Sequence, residues 1–176
     1  VFTVSLPLQI VGREASTAHP PNRVDKRSST IGHATLLIVD DSAINRLVAK
    51  NMLLAEFPQM TLVEADGGES AIEKLRTHAV DLVLMDLIMP GLNGIETTKR
   101  LRQALGDAMP WVVGVTADTS DEARDGCHEV GMRALLHKPF DRQSLCHMVA
   151  RMLQTSDVHT SEVAHTNMAR FPSSTR

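Results

Sequence analysis

Between residues 34 and 155 the chain alternates five short, largely apolar runs with five amphipathic stretches, and few folds accommodate that order. The runs occupy residues 36–39, 61–65, 82–85, 112–115 and 134–136. Runs this short, read as apolar on both faces, suit parallel strands covered by helices on either side. The stretches between them carry helical spacing and begin near Ala43, Glu69, Gly94, Ser120 and Asp141. The last is the clearest: Leu145, Met148, Val149, Met152 and Leu153 recur at the spacing of one helix face. Gly131, just past Val130, reads as the stop of the fourth helix.

Five β/α units in about 120 residues predict an α/β domain of the flavodoxin-like (βα)5 type. That architecture is a doubly wound parallel sheet of strand order 2-1-3-4-5, with functional groups at the carboxyl ends of the strands. The flanks differ in texture. Residues 1–11 alternate like a strand as far as Pro7, and residues 12–33, with Pro20, Pro21, Asn22, Ser28 and Ser29, read as a linker. Residues 156–176 are rich in Ser, Thr and His without periodicity, and are expected to be disordered. The chain does not begin with Met and reads as a piece of something longer.

Composition removes several function classes. A formal net charge of −3 leaves no broad basic surface, and aromatic residues make up only 3%, so direct nucleic-acid binding is not expected. No helix pair or basic stripe follows the domain that would act as a DNA-binding module. No run of about 18 apolar residues occurs, so no segment reads as a membrane span and no membrane contact is expected. Cys127 and Cys146 cannot form a disulfide framework, which suits a reducing cytosol.

The informative residues stand where strands end. The first run is followed by Asp40 and Asp41, the third by Asp86, the fourth by Thr116, and the fifth by His137, Lys138 and Pro139. Singly, each has an ordinary reading: the Asp pair helps Ser42 cap a helix, Asp86 closes a strand, Thr116 is a β-branched strand residue, and Lys138 is loop punctuation. Together they are separated in sequence yet fall at one edge of a parallel sheet. Three carboxylates so placed repel one another and need a cation or a proton to coexist. A hard divalent ion with oxygen ligands meets that need, Mg²⁺ (or Mn²⁺) above all, and no His or Cys cluster offers a zinc-type site. Asp86 can then act as a carboxylate nucleophile toward phosphorus, with Lys138 and Thr116 each serving a phosphoryl oxygen.

The motifs LLIVDDS, VDLVLMDLIMPGLNG, VVGVTA and LLHKPF, in this order, resemble the receiver domains of two-component response regulators over about residues 34–153. The resemblance implies that Asp86 is the phosphoacceptor. It further implies that Asp40 and Asp41, with the main-chain carbonyl of Ile88, hold the metal, that Thr116 is the switch hydroxyl, and that Lys138 binds phosphate. Pro139 resembles the residue that follows this Lys through a cis peptide bond. Leu135 stands where the family usually has Tyr or Phe, which puts the aromatic readout in doubt but not phosphorylation. His137 reads as a solvent-facing residue, and Ile88 and Asp118 lie at positions the family varies. The surface of the fourth helix, fifth strand and fifth helix is the one expected to respond to phosphorylation.

FTVSLPL near the start is similar to the closing strand of the ATP-binding domain of sensor histidine kinases, and EARDGCHEVGM resembles receivers attached to such kinases. The implied organisation is therefore a kinase remnant at 1–11, a linker at 12–33, a receiver at 34–155 and a tail at 156–176, as in hybrid histidine kinases. Its implied partners are a histidine kinase core or a histidine phosphotransfer protein. The expected location is cytoplasmic, with the parent kinase anchored in the inner membrane. No Gly-rich nucleotide loop is present, so this piece is not expected to act as a kinase alone. Other readings are a stand-alone regulator and an Asp-nucleophile phosphatase. The phosphatase chemistry expects a second Asp two residues after the nucleophile, where this chain has Ile88.

Overall fold

A computed structural model describes residues 33–156 of the chain. Residues 1–32 and 157–176, which hold the expected kinase remnant and all but one residue each of the expected linker and disordered tail, lie outside the described residues. Ser156, assigned to that tail from the sequence, instead ends the last helix, whose turn carries one residue further than the apolar spacing indicated. Five strands, β1 (Thr35–Val39), β2 (Thr61–Ala65), β3 (Leu82–Asp86), β4 (Trp111–Thr116) and β5 (Ala134–His137), form one sheet in the order β2-β1-β3-β4-β5. All four pairings are parallel. The connecting helices are α1 (Ala43–Glu56), α2 (Gly68–Thr77), α3 (Gly94–Leu105), α4 (Asp121–Glu129) and α5 (Arg142–Ser156). A single 3₁₀ turn, Gly106–Ala108, follows α3. The flavodoxin-like expectation and its strand order are what the structure shows.

Successive strand residues enter two separate cores, as the twofold period of a strand requires. Leu36, Ile38, Leu82, Leu84, Val113 and Val115 meet Ala49 and Leu53 of α1 and Leu145 and Val149 of α5. Leu37, Val39, Val83, Met85 and Val112 meet Ala71 of α2, Leu101 of α3 and Cys127 of α4. Each fully buried Leu or Val contributes about 1.5–3 kcal/mol relative to exposure. The central strand β3 is buried along its whole length. The two edge strands are not: Thr61 of β2 and His137 of β5 are exposed, so apolarity on both faces holds for the interior strands and fails at the edges.

Local signals set the helix ends that frame the sheet's carboxyl edge. Ser42, Asn93 and Ser120 are the N-caps of α1, α3 and α4, and each accepts a backbone N–H from the first turn. Asp141 serves α5 in the same way, its carboxylate accepting the Ser144 N–H at 2.7 Å. Helix α4 ends as the sequence predicts. The Gly131 N–H donates to the His128 carbonyl and the Met132 N–H to the Cys127 carbonyl, with Gly131 at φ +86°.

Candidate phosphoacceptor site

Strands β1 and β3 are neighbours, so their ends bring Asp40, Asp41 and Asp86 together. One carboxylate oxygen from each lies within 4.8 Å of the others, with Asp40 and Asp86 buried and Asp41 exposed. Lys138 enters from the end of β5. Its Nζ donates to Asp40 Oδ2 at 2.8 Å and to Asp86 Oδ2 at 2.7 Å. The ammonium thus bridges the two buried carboxylates. The Lys138–Pro139 peptide bond is cis.

The two buried acids are held unequally. Asp40 also accepts the Ser42 N–H at 2.9 Å and the Asn45 side-chain amide at 3.1 and 3.2 Å. Among the described residues, Asp86 accepts, besides Lys138, only the Ile88 N–H at 3.1 Å. Burial pushes both carboxyls up. At Asp40 the Lys138, Ser42 and Asn45 donors outweigh it and the pKa falls below the usual value. At Asp86 burial, aided by the neighbouring Asp40 charge, outweighs Lys138 and the Ile88 N–H, and the pKa rises. Burial disfavours the Lys138 ammonium, yet its bonds to both acids more than offset this and raise its pKa.

Thr116 closes β4, one residue beyond Val115, the register partner of Asp86. Its side chain is buried, and its hydroxyl oxygen accepts the Asp118 N–H at 2.9 Å. The Thr116 carbonyl accepts the Lys138 N–H at 2.7 Å, which ties the last two strand ends together. Gly94, at the start of α3, supports the same edge from below. A Cβ there would overlap the Asp86 carbonyl oxygen and the Leu87 backbone, so only glycine lets α3 pass so close to the acid. Ile88 exposes its side chain, as does His137.

The sequence motifs do not single out Asn45 or Arg46, although both touch this edge. Asn45 holds the Asp40 carboxylate, and Arg46 Nη1 donates to the main-chain carbonyls of Asp40 at 2.7 Å and Asp41 at 3.4 Å. For Asn45 the available signal was its place in the first turn of α1, three residues after the Ser42 cap.

The sequence model of the response regulator receiver domain matches residues 36–150. The chain belongs to this receiver family. The receiver is similar to the autoinducer 2 sensor kinase/phosphatase LuxQ of Vibrio parahaemolyticus, at 33% identity over 144 residues, covering 82% of the chain and 16% of LuxQ. It is also similar to the sensor histidine kinase RcsC of Escherichia coli K12, at 37% identity, covering 65% of the chain and 12% of RcsC. The chain therefore spans less than a fifth of these relatives' length. Among solved structures, the receiver resembles the chemotaxis protein CheY4 of Vibrio cholerae, with a TM-score of 0.64 and 28% identity, over 68% of the chain and 98% of CheY4.

Proposed function

We propose that this receiver accepts a phosphoryl group from a phosphohistidine onto Asp86, and either relays it or holds it as a conformational signal. The observation that carries the reading is the buried Asp86 carboxylate, bridged by Lys138 to Asp40 at the edge of the sheet. An Asp86 oxygen attacks phosphorus as the P–N bond breaks, the bonding pair returns to the imidazole, and an acyl phosphate remains. Lys138 offers its ammonium to one phosphoryl oxygen and Thr116 its hydroxyl to another.

The donor set fits a hard divalent cation. Asp40, Asp41 and Asp86 supply oxygen ligands only, and they are the one such acidic cluster among the described residues. Mg²⁺ (or Mn²⁺) would be held by these carboxylates and the Ile88 carbonyl, and when bound it supplies neutralisation of a phosphoryl oxygen. The bland reading, an Asp doublet that caps a helix, accounts for less: Ser42 is the cap of α1, and both buried acids turn toward Lys138 instead.

The parent protein we infer is a hybrid sensor histidine kinase, with this receiver at residues 34–155. LuxQ and RcsC both carry the name of a sensor kinase, and the LuxQ alignment is longer than the described domain. The partner is then a kinase core or a histidine phosphotransfer protein, met in the cytoplasm. Ile44, Leu47 and Val48 form an exposed apolar stripe on α1, and Ile88 is exposed after β3. Such a patch beside a charged site is suited to docking a protein surface. Among the described residues no helix is long and apolar enough to cross a membrane.

The test is incubation with a small phosphodonor and Mg²⁺, followed by intact mass. Wild type gains one phosphoryl group and Asp86→Ala gains none. A modified Asp86→Ala chain would refute the assignment.

A further inference from the structure

Building on the proposed cation site, we propose that Arg46 is a positioning residue, one that sets the geometry of the acidic doublet through its main chain. After Val39 the chain leaves the sheet and reaches the first turn of α1 within a few residues. The Asp40 N–H still bonds the Ala65 carbonyl, at 3.2 Å. The carbonyls of Asp40 and Asp41 point to Arg46 instead, whose Nη1 lies 2.7 and 3.4 Å from them. Those two carbonyls fix the peptide planes on which the Asp40 and Asp41 side chains are mounted.

The guanidinium is itself anchored. Its side chain is only 16% exposed, and Nε lies 3.4 Å from Glu64 Oε2 on β2, an ion-pair contact off hydrogen-bond alignment. Lys50, one turn further along α1, holds the other Glu64 oxygen at 2.8 Å. Arg46 pairs with neither carboxylate of the doublet. It leaves their side-chain oxygens free for Asn45, Lys138 and a cation while clamping the backbone beneath them. Planar, forked guanidinium geometry permits this double role, and a Lys ammonium does not reproduce it. Residues that orient ligating groups typically change metal affinity by about 10–100-fold when removed.

Charge and position predict opposite outcomes, which makes the inference testable. Deleting a cation beside a cation site should, on electrostatics alone, tighten Mg²⁺ binding. Loss of positioning should weaken it. Mg²⁺ affinity is measured by calorimetric titration of wild type, Arg46→Ala and Arg46→Lys. Folding is checked by thermal unfolding in chelator. Phosphorylation by a small phosphodonor is followed as a function of Mg²⁺.

We expect Arg46→Ala to weaken Mg²⁺ binding about tenfold. At saturating Mg²⁺ its phosphorylation rate should return to within about twofold of wild type, as expected when ligand placement alone is affected. Unchanged or tighter binding overturns the inference. If Arg46→Ala does not fold, Arg46→Lys decides: weakened affinity at retained charge supports positioning, and wild-type affinity overturns it. A wild-type protein that binds no Mg²⁺ would instead overturn the cation reading of the site itself.

Discussion

Replacing Lys138 with Met removes the one ammonium that separates two buried carboxylates while keeping most of the side chain's volume. In the native site Nζ lies 2.8 Å from Asp40 and 2.7 Å from Asp86, with side-chain exposures of 24% for Lys138 and 8% for each acid. At an effective dielectric of about 20, each ion pair is worth roughly 6 kcal/mol of gross attraction, most of it offset by desolvation. Removing one partner of a buried pair costs about 3–5 kcal/mol; discounting for the partly exposed Lys gives about 2–4 kcal/mol here. The assay is urea unfolding near pH 7 in chelator, read by the fluorescence of the single Trp, Trp111. In the folded protein its ring lies 5.0 Å from the Arg133 guanidinium, an environment that unfolding replaces with water.

The sign of the pH dependence is fixed by the same groups. Asp86 already has a raised pKa, and losing Lys138 raises it further, so its ionised form opposes folding above that pKa. Asp40 has a lowered pKa in wild type, a stabilisation present above its unfolded value and lost in acid. Both effects make the gap between wild type and Lys138→Met close as pH falls. In an Asp86→Asn background the Lys138→Met loss should drop by at least about half, since one repelling charge is gone. Equal unfolding midpoints near neutrality, or an undiminished loss in the Asp86→Asn background, would refute the electrostatic account.

Two further outcomes follow from the same edge. Gly94→Ala places a methyl against the Asp86 carbonyl and the Leu87 backbone, neither of which can yield easily. It should destabilise by about 2 kcal/mol or more and reduce phosphorylation, measured by chemical unfolding and intact mass. Glu64 has a lowered pKa, owed first to its bond from Lys50 against the opposing effect of burial. Its stabilisation is therefore present above the ordinary carboxylate pKa and lost as pH falls through the folded value. Because the side chain is 36% exposed, screening leaves about 0.5 kcal/mol, so Glu64→Gln should be slightly less stable than wild type near pH 7 and indistinguishable in acid.

Much of the fold is legible in the sequence because each local signal points the same way. The alternation of apolar runs and helical stretches leaves a parallel sheet as the economical solution, and Ser42, readable as a cap after the acidic doublet, is the N-cap of α1. Strand limits were less legible. Thr35 and His137 join the ladder although neither extends an apolar run, because pairing to a neighbouring strand, not side-chain polarity, decides membership. The partial exposure of β2 at Thr61, Leu62 and Glu64 was likewise hidden, since an edge position is a property of the sheet order and not of TLVEA itself.

The acidic edge was readable for a different reason: side chains at strand ends inherit their neighbours from topology. Once the order 2-1-3-4-5 is granted, Asp40 and Asp86 must be adjacent, and Thr116 must stand beside Asp86. The reach of Lys138 across to Asp40 could not be inferred from order, because it spans from the edge strand β5 to β1 and depends on a long flexible side chain. Arg46 was harder still. On a helical pattern it reads as one more polar residue near α1's start, and its significance lies in an arc back to carbonyls five and six residues earlier. Backbone acceptors carry no sequence signature. A residue that works by holding them becomes visible only once the peptide planes are in view, and that is why a support of this kind escapes motif reading even where the groups it supports do not.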